Sequence, residues 1–215
     1  MIERFKTLWK RMNADGDPKE IYEEINFKYS AVDRVYHNMM HVEQCLMEFD
    51  SVRDYVGKPD LFEFVLWMHD VEHSTNLSFI KQRGISDEEA SALIAENTLL
   101  KACVSTESID YVTDRIKTTD HKQIPLTTDD KFIIDIDLSI FGKSKREFDE
   151  YAKKIREEYS HVPMIDYRNK RISILNRFIN TEQRSHVFYT GYFQDKYENS
   201  ARDNIKRTII DLSRC

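Results

Sequence analysis

The apolar residues of this chain recur mainly at the three- and four-residue spacing that places side chains on one face of a helix. The segments that carry this pattern are residues 2–12, 17–29, 42–49, 61–69, 86–101, 106–116, 144–159, 168–180 and 193–213. The segment 61–69 is apolar enough for a central, buried helix. No alternating run bounded by hairpin turns is present in the sequence. The pattern therefore predicts an all-α protein.

The expected helix boundaries coincide with residues that favour helix ends. Asp17, which precedes a proline, has the pattern of an N-cap followed by a first helical residue. Ser86 with Glu89 and Ser144 with Glu147 match the capping box, in which the two side chains satisfy each other's free backbone N–H groups. These signals support separate helices rather than a few long ones.

One apolar run, residues 131–138, fits either a strand or a buried helix by its length. Its helical neighbours favour a helix. With this segment included, we expect a single compact domain that spans residues 1–215 and contains roughly nine or ten helices. A chain of 215 residues is long enough for one domain with a substantial core.

Composition and charge narrow the class of protein. The chain is 40% hydrophobic and 33% charged, as is typical of soluble globular proteins. It has no apolar run of about 18 residues, and residues 1–11 lack the apolar region of a signal peptide. The net charge of −6 argues against binding to a nucleic-acid duplex. We therefore expect a cytoplasmic protein that binds neither a membrane nor duplex nucleic acid.

The three cysteines, Cys45, Cys103 and Cys215, are widely spaced and form no Cys-x-x-Cys motif. This usage fits a reduced cytosolic protein and argues against a disulfide framework or a thiolate zinc site. Cys45 and Cys103 are expected to be core thiols, and Cys215 a free terminal thiol.

Four of the seven histidines fall within residues 36–73. His37 and His41 are four residues apart, as are His69 and His73, a spacing that places both imidazoles of a pair on one helix face. Asp70 directly follows His69. Because adjacent helical residues point about 100° apart, these two can share one ion only near a helix end or where the helix is tightly packed. We interpret this stretch as the centre of a divalent-metal site.

Such a site needs a further carboxylate from elsewhere in the chain. Asp137, at the end of the apolar run 131–138, is the best candidate, and Asp135 is its competitor. A buried carboxylate is costly unless it is paired or bound to a metal, so a carboxylate in an apolar run indicates a specific partner.

Three short strings occur in a fixed order: Tyr36-His37-Asn38-Met39-Met40-His41, His69-Asp70-Val71-Glu72-His73 and Asp137-Leu138-Ser139. This order resembles the HD superfamily of metal-dependent phosphohydrolases, which are all-α. The strings are also similar to the catalytic core of cyclic-nucleotide phosphodiesterases. The chain is shorter than that core and lacks its glutamine and aromatic clamp for the purine. It looks most like the compact bacterial group of predicted HD phosphohydrolases, over most of its length.

The primary metal ligands that the resemblance implies are His41, His69, Asp70 and Asp137. Asp70 would also orient the attacking water or bridge two ions. The likeness further implies that His37 is a general acid, a role that suits an imidazole with an unperturbed pKa of about 6.5. His73 would lie near a second metal or a bridging water. With no thiolate among these ligands, the ions to expect, one or two, are Mg²⁺, Mn²⁺, Fe²⁺, Co²⁺, Ni²⁺ or Zn²⁺.

Weaker candidates for contact with a substrate phosphate lie outside these strings: His121, Lys122, Arg168, Arg171 and Arg184. Arginine binds phosphate oxygens bidentately, and Arg171 is the best of the arginines. Solvated charges on helix faces are the favoured alternative for the lysine and arginines. His121 fits a second-metal residue or a surface turn equally well. Glu72 and Asp120 could orient a ligating imidazole.

Together these features predict an enzyme, a metal-dependent phosphohydrolase that cleaves a phosphate ester by attack of metal-activated water. Its partner would be a small phosphorylated substrate, nucleotide-like, either a monoester or a diester. Two alternatives stay open: a di-iron oxygenase of the HD type, and a metal-stabilised nucleotide-binding or regulatory protein without turnover. The sequence leaves the substrate and the oligomeric state open, and a homodimer is compatible with it.

Overall fold

The computed structural model describes residues 1–122, 124–179 and 185–214, so Arg184 and Cys215 lie outside the described residues. The chain divides into two compact units, residues 1–133 and 134–215. The described residues form α-helices and two short 3-10 helices, with no β-strand, which confirms the predicted all-α class. The single domain over residues 1–215 stays a prediction.

Eleven α-helices lie in the described ranges, compared with the roughly nine or ten expected. They are α1 (Ile2–Arg11), α2 (Pro18–Tyr29), α3 (Met39–Asp50), α4 (Pro59–Met68), α5 (Leu77–Arg83), α6 (Asp87–Lys101), α7 (Thr106–Thr118), α8 (Thr128–Asp137), α9 (Lys145–Glu158), α10 (Met164–Ile179) and α11 (Gly191–Arg214). The two 3-10 helices are Arg53–Tyr55 and Leu138–Gly142. Within the described part of the chain, no helix has both the length and the apolar character needed to cross a membrane.

The ambiguous apolar run is helical, because α8 covers most of it and continues as the 3-10 helix Leu138–Gly142. The division between the two units falls inside α8. The element that the apolar pattern does not predict is α5, a seven-residue helix. Its start depends on Asn76, whose side chain accepts hydrogen bonds from the N–H groups of Ser78 and Phe79.

Helix α4 is the centre of the first unit. It packs against α1, α3, α6 and α7, and its residues from Phe62 to Met68 are all buried. Trp67 and Phe64 meet the aromatic residues of α1, with Trp67 edge-on to Phe5 at 5.2 Å between ring centroids. Burial of each such side chain stabilises the fold by about 1.5–3 kcal/mol. The strongly apolar segment 61–69 is therefore central, as predicted.

One charged residue, Glu63, is buried within this apolar helix. Its carboxylate accepts hydrogen bonds from Arg4 Nε at 2.7 Å, Arg11 Nη2 at 2.9 Å and Arg53 Nη1 at 2.7 Å. A buried carboxylate is tolerated when its lone pairs are satisfied in this way. Three arginines from outside α4 thus meet at Glu63 and fix the start of α4 relative to α1.

The second unit is built around α11, which packs against α9, α10 and the 3-10 helix Leu138–Gly142. A close approach occurs at Gly142, where an added Cβ would lie 2.2 Å from Cβ of Tyr197. Next to it, the Asn204 amide donates to the carbonyl oxygens of Phe141 and Lys143, at 2.9 and 3.0 Å. A glycine is therefore required where α11 crosses this turn.

We predict that Gly142→Ala lowers the free energy of unfolding by about 1–3 kcal/mol, because the new methyl group overlaps the start of the Tyr197 side chain. Chemical denaturation measures this. Gly191→Ala is the matched control, since no atom lies within 4 Å of its added Cβ and alanine favours a helix. Equal stabilities of the two variants would contradict the close approach.

Candidate metal centre

Helix α3 places His41 in its first turn. Asn38 is the N-cap, and its side-chain oxygen accepts from the N–H of Met40 at 2.9 Å. The same amide donates to the carbonyl oxygens of Arg34 and Val35, at 3.2 and 2.9 Å, so it also holds the preceding loop. The asparagine of the Tyr-His-Asn-x-x-His string is therefore a capping residue that fixes where the helix begins.

The end of α4 places His69 and Asp70. The last residue of α4 is Met68, His69 is its C-cap, and Asp70 follows in the turn. Both residues therefore stand at a helix end, which is one of the two settings in which adjacent side chains can converge on one ion. Because α3 begins after His37 and α4 ends before His73, the prediction that each i, i+4 pair shares one helix face is wrong.

The histidines pair across the two segments instead. The rings of His41 and His69 lie 5.1 Å apart between centroids, and those of His37 and His73 lie 4.1 Å apart. His37 and His41 are 6.0 Å apart, so the two pairs are neighbours. The first unit therefore holds four imidazoles in two adjacent groups.

The first group forms a compact set of donor atoms. His41 Nε2 lies 3.1 Å from His69 Nε2, and Asp70 Oδ2 lies 3.5 Å from the former and 3.3 Å from the latter. Ligand atoms around one divalent ion are separated by about 3.3 Å in a tetrahedral set and about 2.9 Å in an octahedral one. The three atoms thus have the spacing of ligands on one face of a metal ion.

The backbone fixes the orientation of His69. Its Nδ1 lies 3.0 Å from the carbonyl oxygen of Leu66, which accepts hydrogen bonds and donates none. Nδ1 therefore carries a proton, and Nε2 faces His41 and Asp70, where it offers a lone pair to an ion when the ring is neutral. Metal-binding histidines are commonly held by such a bond from the other ring nitrogen.

Asp70 is held in its charged form. Burial alone raises the pKa of this carboxyl group, but the charge and hydrogen bond of His69, followed by the charges of His37 and His41, lower it well below its usual range. The carboxylate therefore offers anionic oxygen at neutral pH. Two imidazole nitrogens and one carboxylate oxygen fit a divalent cation of the borderline or hard class.

Arg34 and Tyr29 hold the turn that carries Asp70. The Arg34 guanidinium donates to the carbonyl oxygens of Asp70 and Val71, at 2.7 and 3.0 Å. The Tyr29 hydroxyl accepts from the N–H of Asp70 and donates to the carbonyl of Trp67, both at 3.2 Å. Burial and the nearby Asp70 charge raise the pKa of Tyr29, so this hydroxyl keeps its proton. Sequence reasoning missed both residues, because neither lies in the recognised strings.

The second group, His37 and His73, has a carboxylate beside it. His73 Nδ1 lies 3.8 Å from Asp87 Oδ2, and the same oxygen accepts from the N–H of Ser74 at 3.0 Å. Asp87 is the first residue of α6. Glu72, the predicted supporting residue, instead forms ion pairs with Lys28 and Arg83.

Cys45 is buried, as predicted, but its surroundings are not purely apolar. One helical turn after His41, its sulfur lies 3.7 Å from His41 Nε2. The donor atoms of His41, Cys45 and His69 all lie within 4.8 Å of one another. Cys103 is exposed rather than buried, so its predicted core position is wrong. It follows α6 in a turn, with a φ of 55°.

The two competing carboxylates of α8 belong to the second unit. Asp135 is fully buried and accepts three hydrogen bonds of 2.7 Å, from the N–H groups of Tyr189 and Thr190 and from the Thr190 hydroxyl. These bonds account for its burial. Asp137 is the last residue of α8, and its ligand role stays a prediction.

The weaker candidates have varied surroundings. His121 lies in the turn after α7 with a φ of 54°, and Lys122 is largely exposed and pairs with Asp120 at 3.4 Å. Arg171, on α10, is buried and donates to the Tyr151 hydroxyl at 2.6 Å. Arg168 is half-buried on the same helix. A phosphate-binding role for these residues stays a prediction.

Comparison with protein-family models, curated proteins and solved structures found no match to this chain. The chemistry of the site is therefore argued from its own residues. Among those residues, His41, Cys45 and His69 belong to a group of side chains that could hold a metal ion.

We predict that Arg34→Lys lowers the affinity for a divalent ion by roughly 10- to 100-fold, as is usual for residues that orient metal ligands. A lysine retains the charge but cannot bridge the two carbonyl groups of the Asp70 turn with a planar fork. Competition with a chelator measures the affinity. The control is Arg146→Lys, because the Arg146 side chain is 89% exposed. If the two variants bound the divalent ion with equal affinity, the positioning role of Arg34 would be contradicted.

Proposed function

We propose that this protein is a metal-dependent phosphohydrolase that cleaves a small phosphate ester, with the group of His41, His69 and Asp70 as its metal centre. The observation that carries the proposal is the spacing of their three donor atoms, 3.1–3.5 Å apart at the meeting of α3 and α4. The resemblance of the ordered strings to HD phosphohydrolases supports the reaction class. A nucleotide-like ester is the substrate class that this resemblance favours.

A bound divalent ion would lower the pKa of a water ligand towards roughly 7 and would polarise a phosphoryl oxygen. The residues of the chain supply the remaining requirements. His41 and His69 offer neutral nitrogen donors, and Asp70 offers a negative charge that orients the attacking water. Arg34 holds the Asp70 turn in place through its two backbone carbonyl groups. The centre is thus arranged before substrate binds, which lowers the cost of reaching the transition state.

In this proposal His37 protonates the leaving oxygen. It lies just before α3, outside the hydrogen-bonded helix, and its ring is half-buried beside that of His73. Its ring centroid lies 6.0 Å from that of His41. His37 is therefore next to the metal group but is not one of the three donors that form it. This position suits a proton donor, which must reach the substrate rather than the ion.

The neighbouring His37–His73 group supports a second candidate, a di-iron oxygenase. Their donor atoms lie within 4.8 Å of each other, so the first unit offers nitrogen ligands for a second ion. Two tightly held irons together with oxygen consumption would favour that reaction class. A protein that keeps one Mn²⁺ or Zn²⁺ and consumes no oxygen favours phosphohydrolysis.

The test of the proposed function is turnover of a panel of nucleotides and sugar phosphates with each candidate metal. We predict release of phosphate or a phosphomonoester by the wild type. Asp70→Ala should lose both bound metal and turnover while its far-UV circular dichroism stays near that of the wild type. Asp110→Ala, which removes an exposed carboxylate of α7, is the matched control. Full metal occupancy in Asp70→Ala would overturn the site, and no turnover of any ester would overturn the reaction.

A separate prediction concerns His37. His37→Ala should retain bound metal but lower kcat by about 10²–10⁴-fold on a substrate with a poor leaving group. The loss should be smaller on an activated aryl phosphate, which needs no proton donor. His161→Ala, at an exposed histidine of the second unit, serves as the control. Equal kcat values for wild type and His37→Ala on the poor leaving group would remove the general-acid role.

A further inference from the structure

The second unit contains a buried arginine whose charge no described ion pair balances. Arg171, on α10, is 8% exposed, and its Nη2 donates to the Tyr151 hydroxyl at 2.6 Å. Within the described part of the chain, its Nε and Nη1 form no hydrogen bond, and no carboxylate lies within ion-pair distance of it. The other buried arginine of the described residues, Arg34, donates instead to two backbone carbonyl groups of the Asp70 turn. Arg171 therefore has a buried charge and a single neutral hydrogen-bond partner among these residues.

A second arginine without a described ion pair, Arg156, reaches the same face of α10 from α9. Its guanidinium carbon lies 4.8 Å from the ring centroid of Tyr167, and the group donates to the carbonyl oxygen of Tyr159. Tyr167 precedes Arg171 by one turn of α10, so these two side chains share a helix face. The charges of Arg171 and Arg156 both act on the Tyr167 hydroxyl. The second unit thus brings two guanidinium groups to one tyrosine.

The Tyr167 hydroxyl is a hydrogen-bond donor beside these charges. The residue is 9% exposed, and none of the described residues forms a hydrogen bond with its hydroxyl. Burial raises the pKa of Tyr167, although the charges of Arg171 and Arg156 act in the opposite direction. The hydroxyl therefore keeps its proton at neutral pH and can donate it to a ligand.

Aromatic and neutral contacts stabilise a buried guanidinium only in part. The guanidinium carbon of Arg171 lies 5.2 Å from the ring centroid of Tyr151. This contact and one hydrogen bond to a neutral hydroxyl recover less than the removal of a charge from water costs. Burial lowers the pKa of Arg171, but the neighbouring tyrosines, Tyr151 first, raise it overall, so the group stays charged. An anion from outside the chain would supply the missing opposite charge.

The arginines of the first unit show how this protein otherwise balances such charges. Arg4, Arg11 and Arg53 all donate to the buried Glu63 carboxylate. The whole chain has a net charge of −6, so carboxylates are more numerous than lysines and arginines. Two neighbouring arginines without a described carboxylate partner therefore indicate a place kept for a ligand.

We propose that Arg156, Tyr167 and Arg171 form a binding site for a phosphate group in the second unit. A phosphate monoester or inorganic phosphate carries about 1.5–2 negative charges at neutral pH, which match two guanidinium groups. Arginine binds phosphate oxygens with two parallel hydrogen bonds, and a carboxylate would balance only one of the two charges. The site depends on neither the proposed metal centre nor the proposed reaction.

The test is isothermal titration calorimetry of the full chain with inorganic phosphate, without added metal. We expect one phosphate to bind per chain. Arg171→Lys and Arg156→Lys should each lower the affinity by more than about tenfold, because lysine keeps the charge but loses the planar fork. Arg146→Lys, on an exposed arginine of α9, is the matched control and should stay within about twofold of the wild type.

A milder variant keeps the test decisive if an arginine variant fails to fold. Tyr167→Phe retains the ring against which Arg156 packs and removes only the hydroxyl, so phosphate affinity should fall by about three- to tenfold. Failure of the wild type to bind phosphate at millimolar concentration would overturn the site without any variant. Unchanged affinity in Tyr167→Phe and in both arginine variants would overturn it as well.

Asp70→Ala separates this site from the proposed metal centre. We expect this variant to bind phosphate as the wild type does. Loss of phosphate binding in Asp70→Ala, with binding retained in Arg171→Lys, would place the phosphate at the metal group and overturn the proposal. Phosphate binding at Arg171 without turnover of any ester would support the proposal and contradict only the proposed reaction.

The same variant distinguishes the two sources of a phosphate group, because it is not expected to hydrolyse an ester. Asp70→Ala is titrated with inorganic phosphate, a nucleoside monophosphate and acetate. Tighter binding of the monophosphate would support a phosphorylated small molecule as the ligand, and equal binding would support free phosphate. Acetate that binds as tightly as phosphate would overturn the assignment to a phosphate group.

Discussion

The end of α4 is the constraint on which the candidate metal centre depends. Helix α4 is buried along nearly its whole length, so its last turn cannot shift without disturbing the centre of the first unit. His69 and Asp70 stand at that end, and the next turn of chain is held by Arg34 and Tyr29 through the backbone. The apolar packing that stabilises α4 therefore also fixes the donor atoms, and site geometry and core stability are properties of the same helix.

Much of the fold is readable from the sequence because its signals are local. Helical periodicity identifies the central α4, and Asp17, Ser86 and Ser144 each cap a helix as their patterns predict. The apolar run of α8 is ambiguous by periodicity, and only its neighbours favour the helix that is found. Helix α5 is not predicted from the sequence, because seven residues are too few to show a helical period.

The candidate site can be predicted only in part from the sequence, because its geometry depends on where the helices begin and end. The adjacent His69 and Asp70 could be expected to converge because a helix end permits it. The i, i+4 spacing of His37 and His41 suggests that both lie on one helix face. Asn38, between them, is the N-cap of α3, so His37 lies in the preceding loop. Arg34 and Asp87 act through contacts with residues distant in sequence. A single sequence carries no local signal for such contacts.

The central claim is that His41, His69 and Asp70 bind one divalent ion, and anomalous X-ray diffraction from crystals grown with Zn²⁺ or Co²⁺ tests it most directly. The account predicts one strong anomalous peak about 2.0–2.2 Å from Nε2 of His41, Nε2 of His69 and a carboxylate oxygen of Asp70. Fully occupied ions elsewhere, with the two imidazoles hydrogen-bonded directly to each other, would contradict it.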